Sequence, residues 1–399
     1  MNSDKTKINL LAEYVEGLMN EYDGKELYLK YKDAIEKVTP QEAFEVFYLQ
    51  LNKDKKPKVI LKVLDKVINI FYKSLSSYPW KRPEKDSFLD VLIQENKALR
   101  AKLNDIGEIV KEQNFKGRKE DLLVKVSELK AFNDHYLKKE NILFPYMEKR
   151  MEKFHGLTIM WSLHDEARAC LNKMVSLLES EDCTESEFNS EIGKLFFAMG
   201  GLANKEELIL FPAASEIFSE EEWRDMGKQS FEYSFPFIDS PQRPSEKIDD
   251  EEINELIKSM DGFIFKTETG ILNLEQILMI FNALPVDLSF VDENNKVKFF
   301  TRPKDRIFPR SSAVIGRDVR NCHPHESVHV VEEIIEEFRN GRKEVASFWI
   351  NMRGKMILIQ YFALRNSKGE YKGVLEVSQD ITEIKKLEGE RRLLQWDNA

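Results

Sequence analysis

Cys322, His323, His325 and His329 place four soft or borderline donor groups within eight residues, and the three imidazoles are half of the six histidines in the chain. Thiol and imidazole at this density could serve as ligands to a borderline transition-metal ion. The same stretch has a plainer use. His323-Pro324 can shape the turn into a helix, with Ser327 as its N-cap and the imidazoles exposed. A second feature is a repeat: Glu140-Asn-Ile-Leu-Phe-Pro145 returns as Glu207-Leu-Ile-Leu-Phe-Pro212, so the middle of the chain reads as two related hairpins. No Walker A loop, no GxGxxG after a strand, no HExxH and no GxSxG occurs. Nucleotide and hydrolase chemistry therefore lack support, and a non-enzymatic protein is expected.

Hydrophobic periodicity reveals the elements that must position these groups. From Ile8 to about Leu75 the pattern is helical, with Leu10, Leu11, Tyr14, Val15 and Leu18 at three- and four-residue spacing. Thr39-Pro40-Gln41-Glu42 has the form of a capped helix start. Tyr78 to Pro83 breaks the period, and four long amphipathic segments follow, at about 87–113, 119–153, 158–180 and 185–216. Helices of this length with polar turns predict an antiparallel bundle. Thr184-Glu185-Ser186-Glu187 and Ser219-Glu220-Glu221-Glu222 are capping boxes.

A proline-rich stretch over 235–244 and an acidic helix over 249–260 separate the bundle from a region of strand period. Strands are expected at 286–292, 296–300, 345–352, 356–365 and 371–380, with a helix over 327–339 and an amphipathic tail helix over 382–394. The fold class is thus multidomain: an all-α N-terminal domain and four-helix bundle, plus an α+β domain with a five-stranded antiparallel sheet. The expected divisions are 1–78, 79–228, a linker with a short helix at 229–270, 271–383, and a tail at 384–399.

A chain of 399 residues exceeds one ordinary core, and 26 phenylalanines argue against disorder. Sixty Lys and Arg against 70 Asp and Glu, a net charge of −10, lack the basic excess that phosphate contacts need, so nucleic acid is not an expected partner. Three cysteines, with no paired framework, fit a reducing cytoplasm. Eighteen successive apolar residues occur nowhere, so neither a signal peptide nor a membrane span is expected.

Asp380-Ile381-Thr382 closing a strand–strand–helix–three-strand order resembles PAS domains. Arg306-Ile-Phe-Pro-Arg310, Asn321-Cys-His-Pro324 and Ser327-Val-His-Val-Val331 resemble one prokaryotic PAS subgroup found behind hemerythrin-like bundles. Asp134-His-Tyr-Leu-Lys-Lys-Glu-Asn-Ile-Leu-Phe-Pro145 and Met160-Trp161-Ser-Leu-His-Asp165 are similar to the helix motifs of those bundles. The whole arrangement is similar to a prokaryotic family that joins a domain of unknown function (family 438) to a hemerythrin-like HHE bundle and a C-terminal PAS domain.

The hemerythrin resemblance implies a di-iron site held by HxxxE pairs, because i and i+4 share one helical face. His135, His164, Glu140 and Glu206 are the candidate ligands for iron or another divalent metal. The set departs from the pattern: Lys139 stands four residues after His135, Leu202 stands where a second His would be, and the first helix offers Ser87, Asp90 and Glu95 but no His. A lysine ammonium repels a nearby cation. The competing reading is a buried hydrogen-bonded network with a structural role. The PAS resemblance implies a pocket for haem or a small ligand, with His329 the preferred axial ligand and His323 or Cys322 as alternates; an empty pocket is the alternative. Asn321-Cys322-His323 lacks the arginine of flavin photoadduct motifs.

The functional expectation is a cytoplasmic sensory or regulatory protein whose PAS core responds to a small ligand or redox state and signals through a protein partner or self-association. A metal-dependent oxidase or O2-, NO- or peroxide-handling bundle is the enzymatic alternative, and a ligand-free scaffold the structural one.

Overall fold

Leu11, Tyr14, Val15 and Leu18 are all buried along one face of α1 (Lys5–Met19), as their spacing requires. The computed structural model describes residues 5–52, 57–111, 115–150, 157–242, 264–303, 306–323 and 325–390. The chain divides into two compact units, residues 1–244 with 311–313, and residues 245–310 with 314–399. The expected helix at 249–260, His155, residues 391–399 and the side chain of His325 lie outside the described residues.

In the first unit, α1, α2 (Gly24–Ile35), α3 (Pro40–Asn52) and α4 (Pro57–Ser76) enclose Tyr14, Val46, Ile60 and Phe71. Asp23 caps α2 by accepting from the backbone N–H of Lys25 and Glu26 at 2.9 and 2.8 Å. Ile159 and Ile209 of the following bundle belong to the same core, and Lys205 pairs with Asp65 at 2.6 Å. These four helices therefore pack directly on the bundle.

The bundle has four legs. The first is α5 (Phe88–Lys111) and the third α9 (Leu157–Glu179). The second runs through α6 (Phe115–Glu128), a 3-10 turn at Leu129–Phe132, α7 (Asn133–Lys138), a π-helical turn at Lys139–Leu143 and α8 (Phe144–Arg150). The fourth runs through α10 (Glu185–Lys205), a π-helical turn at Glu206–Leu210 and α11 (Phe211–Ser215), with α12 (Glu220–Ser230) after it. Both predicted capping boxes are present, at Thr184/Glu187 and Ser219/Glu222.

The two π turns have one cause. Pro145 and Pro212 have no N–H for the carbonyl four residues earlier and would clash with it in a regular α-helix. Each leg widens just before its proline instead, with Phe144 N–H bonding to the Lys139 carbonyl and Phe211 N–H to that of Glu206. The extra residue in the turn breaks the 3.6-residue face, and Lys138, Lys139 and Glu140 are buried in succession.

In the second unit, β1 (Ile264–Thr267) and β2 (Gly270–Asn273) form a hairpin, followed by α13 (Leu274–Ala283), which starts on an Asn273/Gln276 capping box. The main sheet contains β3 (Asp287–Asp292), β4 (Val297–Phe300), β5 (Val345–Met352), β6 (Lys355–Arg365) and β7 (Tyr371–Asp380), all pairs antiparallel, in the order β4-β3-β7-β6-β5. Helix α14 (His325–Arg339) contributes Ile335 and Phe338 to a core with Val291, Val297 and Val374. Arg353 and Gly354 both have positive φ, 51° and 76°, which the tight hairpin between β5 and β6 demands. Gly373 has φ of +130°, and a Cβ there would lie 2.0 Å from the Val291 carbonyl oxygen, so only glycine lets β7 pair with β3.

All five predicted sheet strands are found. The β1–β2 hairpin falls partly in what the sequence reads as linker, and α13 is an additional helix. The tail differs from expectation: among its described residues only Ile384–Lys386 form a 3-10 turn, and no helix continues through Glu390. Among the described residues, no helix is long and apolar enough to cross a membrane.

Candidate functional site

The four residues singled out in the bundle do come together, but with cations among them. His135 on α7 bridges two carboxylates: its Nδ1 lies 2.8 Å from Glu95 Oε2 on α5 and its Nε2 3.1 Å from Glu206 Oε2. The Lys138 ammonium donates to Glu95 Oε1 and, at 2.9 Å, to the Ser234 carbonyl. The Lys139 ammonium donates to Glu206 Oε1, and Asn96 Nδ2 donates to Glu206 Oε2 at 2.9 Å. Across the core, Arg168 Nη2 reaches both oxygens of Glu140 at 2.8 and 2.9 Å, and His164 Nδ1 lies 2.6 Å from Glu140 Oε1. Glu95, Asn96, His135, Lys138, Lys139, His164 and Glu206 are fully buried and Glu140 nearly so. Lys138 also sits over the Phe235 ring at 4.4 Å and Lys139 over Tyr136 at 4.9 Å.

The electrostatics follow from this closure. Burial, helped by the Lys139 charge, lowers the His164 pKa to about 4, so its ring is neutral near pH 7 and its Nδ1–H donates to Glu140. Burial alone would raise Glu140; the His164 hydrogen bond and the Arg168 guanidinium outweigh it and lower its pKa to about 2. With His164 neutral, Arg168 is the charge that keeps Glu140 ionised. Burial likewise works to raise Glu206, but Lys139 and His135 hold it well below the usual carboxylate range. Burial lowers both lysines, opposed in each case by its own glutamate.

These residues do not fit a divalent metal as they stand. Among the described residues no group of three or more His, Cys, Asp or Glu side chains is arranged to hold one. Both oxygens of Glu95, Glu140 and Glu206 are already engaged by cationic, amide or imidazole groups. His164 Nε2 has no hydrogen-bond partner, but the nearest carboxylate oxygen, Glu206 Oε1 at 3.9 Å, is the one Lys139 holds. A divalent ion about 4 Å from an ammonium at an effective dielectric near 20 would meet a repulsion of about 8 kcal/mol. Glu95, Asn96, Lys138 and Arg168 complete the network. Lys139 was already marked by its i+4 spacing from His135; the sequence signal for Lys138 was its place just before a Glu-x4-Pro turn, which the regular helical period does not expose.

The second site lies inside the five-stranded domain, where a cavity of about 30 Å³ is lined by Arg310, His323, Tyr361 and Glu376 with apolar neighbours such as Val291 and Val374. Asp287 accepts from the backbone N–H of Ile307 and Phe308, both at 3.0 Å, and so folds the segment carrying Arg310 over the sheet. Arg310 Nη2 pairs with Glu376 Oε2 at 2.7 Å. Tyr361 on β6 and Glu376 on β7 are register partners, which puts both side chains on one face. Burial, reinforced by the Glu376 charge, raises the Tyr361 phenol. Burial lowers His323; Arg310 acts with it and Glu376 against it.

Of the three ligands expected for haem, only His323 lines this cavity. His329 lies on the exposed side of amphipathic α14, and Cys322 is half-buried with its thiol 3.7 Å from the Asp318 carbonyl. A space of about 30 Å³ holds a water molecule and not a porphyrin. The assignment of haem to His329 is therefore corrected: the 3.6-residue period of α14 turns that ring to solvent.

An antiparallel four-helix bundle ahead of an antiparallel sheet with the order β4-β3-β7-β6-β5 defines a two-module architecture. Residues 87–214 match the hemerythrin HHE cation binding domain and residues 277–382 match a PAS domain. The chain thus carries a hemerythrin HHE domain and a C-terminal PAS domain; these matches do not confirm family 438 for the N-terminal helices. Similar solved structures include the C-terminal domain of a protein from Streptococcus mutans, 29% identical over 32% of this chain and 98% of that one, with a TM-score of 0.30. The PAS domain of a protein from Colwellia psychrerythraea is 18% identical over 28% of this chain and 98% of that one, TM-score 0.23. A sensory box sensor histidine kinase from Vibrio cholerae is 12% identical over 33% and 98%, TM-score 0.22. No curated protein matches the chain.

Proposed function

We propose that this is a sensory or regulatory protein that acts by binding rather than by catalysis, and that its PAS cavity takes a small anionic ligand such as a carboxylate. The observation that carries this reading is the Arg310–Glu376 ion pair lining a small, partly open cavity, beside His323 and Tyr361. Arg310 is a fork-shaped donor matched to carboxylate geometry. The cavity of about 30 Å³ is too small for a ligand beyond a few atoms while the pair is closed. An incoming carboxylate would take Arg310 from Glu376, so binding and movement are coupled.

Glu376 lies on β7, the strand that leads to the Asp380-Ile381-Thr382 turn. Asp380 Oδ1 accepts from the Thr382 backbone N–H at 3.0 Å and from its hydroxyl at 2.6 Å, while Thr382 Oγ1 accepts from Met356 N–H at 2.8 Å. That clasp joins the strand end to the C-terminal segment, through which a change at Glu376 would reach a protein partner or a second copy. The test is thermal unfolding of the full chain with millimolar formate, acetate, pyruvate, lactate and succinate. At least one should raise Tm, the rise should vanish in Arg310→Met, and it should grow in Glu376→Gln, where the internal competitor is gone. No rise with any of them, or an equal rise in Arg310→Met, would reject the ligand class and leave a scaffold.

A further inference from the structure

The hemerythrin HHE match implies a bundle that binds cations, and the centre of this bundle is already occupied by cations of its own. Glu95 and Glu206 each receive one lysine ammonium, from Lys138 and Lys139 respectively, and His135 links the two carboxylates through its two ring nitrogens. We propose that the ammonium groups of Lys138 and Lys139 take the places of two metal ions in this bundle, so that its polar core is closed by internal ion pairs and is independent of divalent metal.

Three observations converge on this. The lysines are fully buried, which a flexible charged side chain accepts only when paired. Each of the three carboxylates, Glu95, Glu140 and Glu206, already has a cationic side chain of the chain itself against it, Lys138, Arg168 and Lys139 respectively, so none is left to a metal. Lys139 is buried at the i+4 position from His135, on the same helical face, where an HxxxE pair would set its carboxylate. Each ammonium is further held over an aromatic face, Phe235 or Tyr136. The inference rests on the bundle alone and does not depend on the PAS cavity.

The experiment compares the full chain with His135→Ala and Glu206→Gln after expression with added iron, manganese and zinc, reading bound metal by elemental analysis. The comparison is repeated by anaerobic Fe(II) titration followed by calorimetry. The wild-type chain should hold no more metal than either variant, and Mn(II) or Zn(II) should leave its Tm unchanged. One or two ions per chain that are lost in both variants would overturn the proposal. A gain of function gives the positive arm. Lys139→Glu restores the carboxylate four residues after His135 and removes a compensating charge, so its Tm should fall without metal and recover with Mn(II) or Zn(II), alongside about one bound ion. If that variant does not fold, the wild-type comparison still decides.

Discussion

His164 and Glu140 form a buried pair whose two pKa shifts act in the same direction on stability. His164 is lowered from 6.5 to about 4, so the unfolded chain takes up its proton first as pH falls. Its contribution is complete above about 6.5 and is lost toward about 4, with a slope near 1.4 kcal/mol per pH unit inside that window. Glu140 is lowered from 4.5 to about 2, so its contribution is complete above about 4.5 and is lost toward about 2. Acid should therefore destabilise the bundle in two overlapping stages. Urea unfolding between pH 7 and 4 should show a steep loss in the wild type that is flattened in His164→Gln. Equal slopes would mean that His164 titrates normally. Lys139, Arg168 and Glu206 surround this pair; helical spacing and the repeat pointed to Lys139 and Glu206, but not to Arg168, because a charged residue on a helix ordinarily reads as its solvated face.

At the level of elements, periodicity carried most of the information. Leu11, Tyr14 and Val15 on α1 announced a buried stripe, and the alternation over 287–292 and 371–380 announced strands that lie side by side in the sheet. Two things escaped it. Proline at 145 and 212 was visible, but its consequence, a π turn that buries Lys138, Lys139 and Glu140 in succession, depends on the neighbouring legs accepting three polar side chains. The histidine cluster misled for the opposite reason. Density along the chain is not density in space, and α14 turns His329 outward while His323, ahead of the helix, enters the cavity. Gly373 supplies an element-scale prediction. Its φ of +130° and the 2.0 Å approach of the Val291 oxygen to a would-be Cβ mean that Gly373→Ala must push β7 off β3. The expected cost is about 3 kcal/mol or more in denaturant unfolding. A loss below about 0.5 kcal/mol, the scale of an ordinary surface substitution, would show that the strand pair tolerates the displacement.

Across the whole molecule, the two polar interiors contrast. The bundle buries an ion-paired network in which the carboxylates are engaged by the chain's own side chains, an arrangement suited to holding helices in place. The PAS interior holds one ion pair beside a small cavity, on a strand that ends in the clasp at Asp380 and Thr382. The central claim is that opening this pair alters the C-terminal segment. Glu376→Gln weakens it without any ligand, and hydrogen–deuterium exchange of the full chain reads the consequence. The prediction is faster exchange over 371–390 than in the wild type, with 88–230 unchanged. Identical exchange over 371–390 in both chains would contradict it.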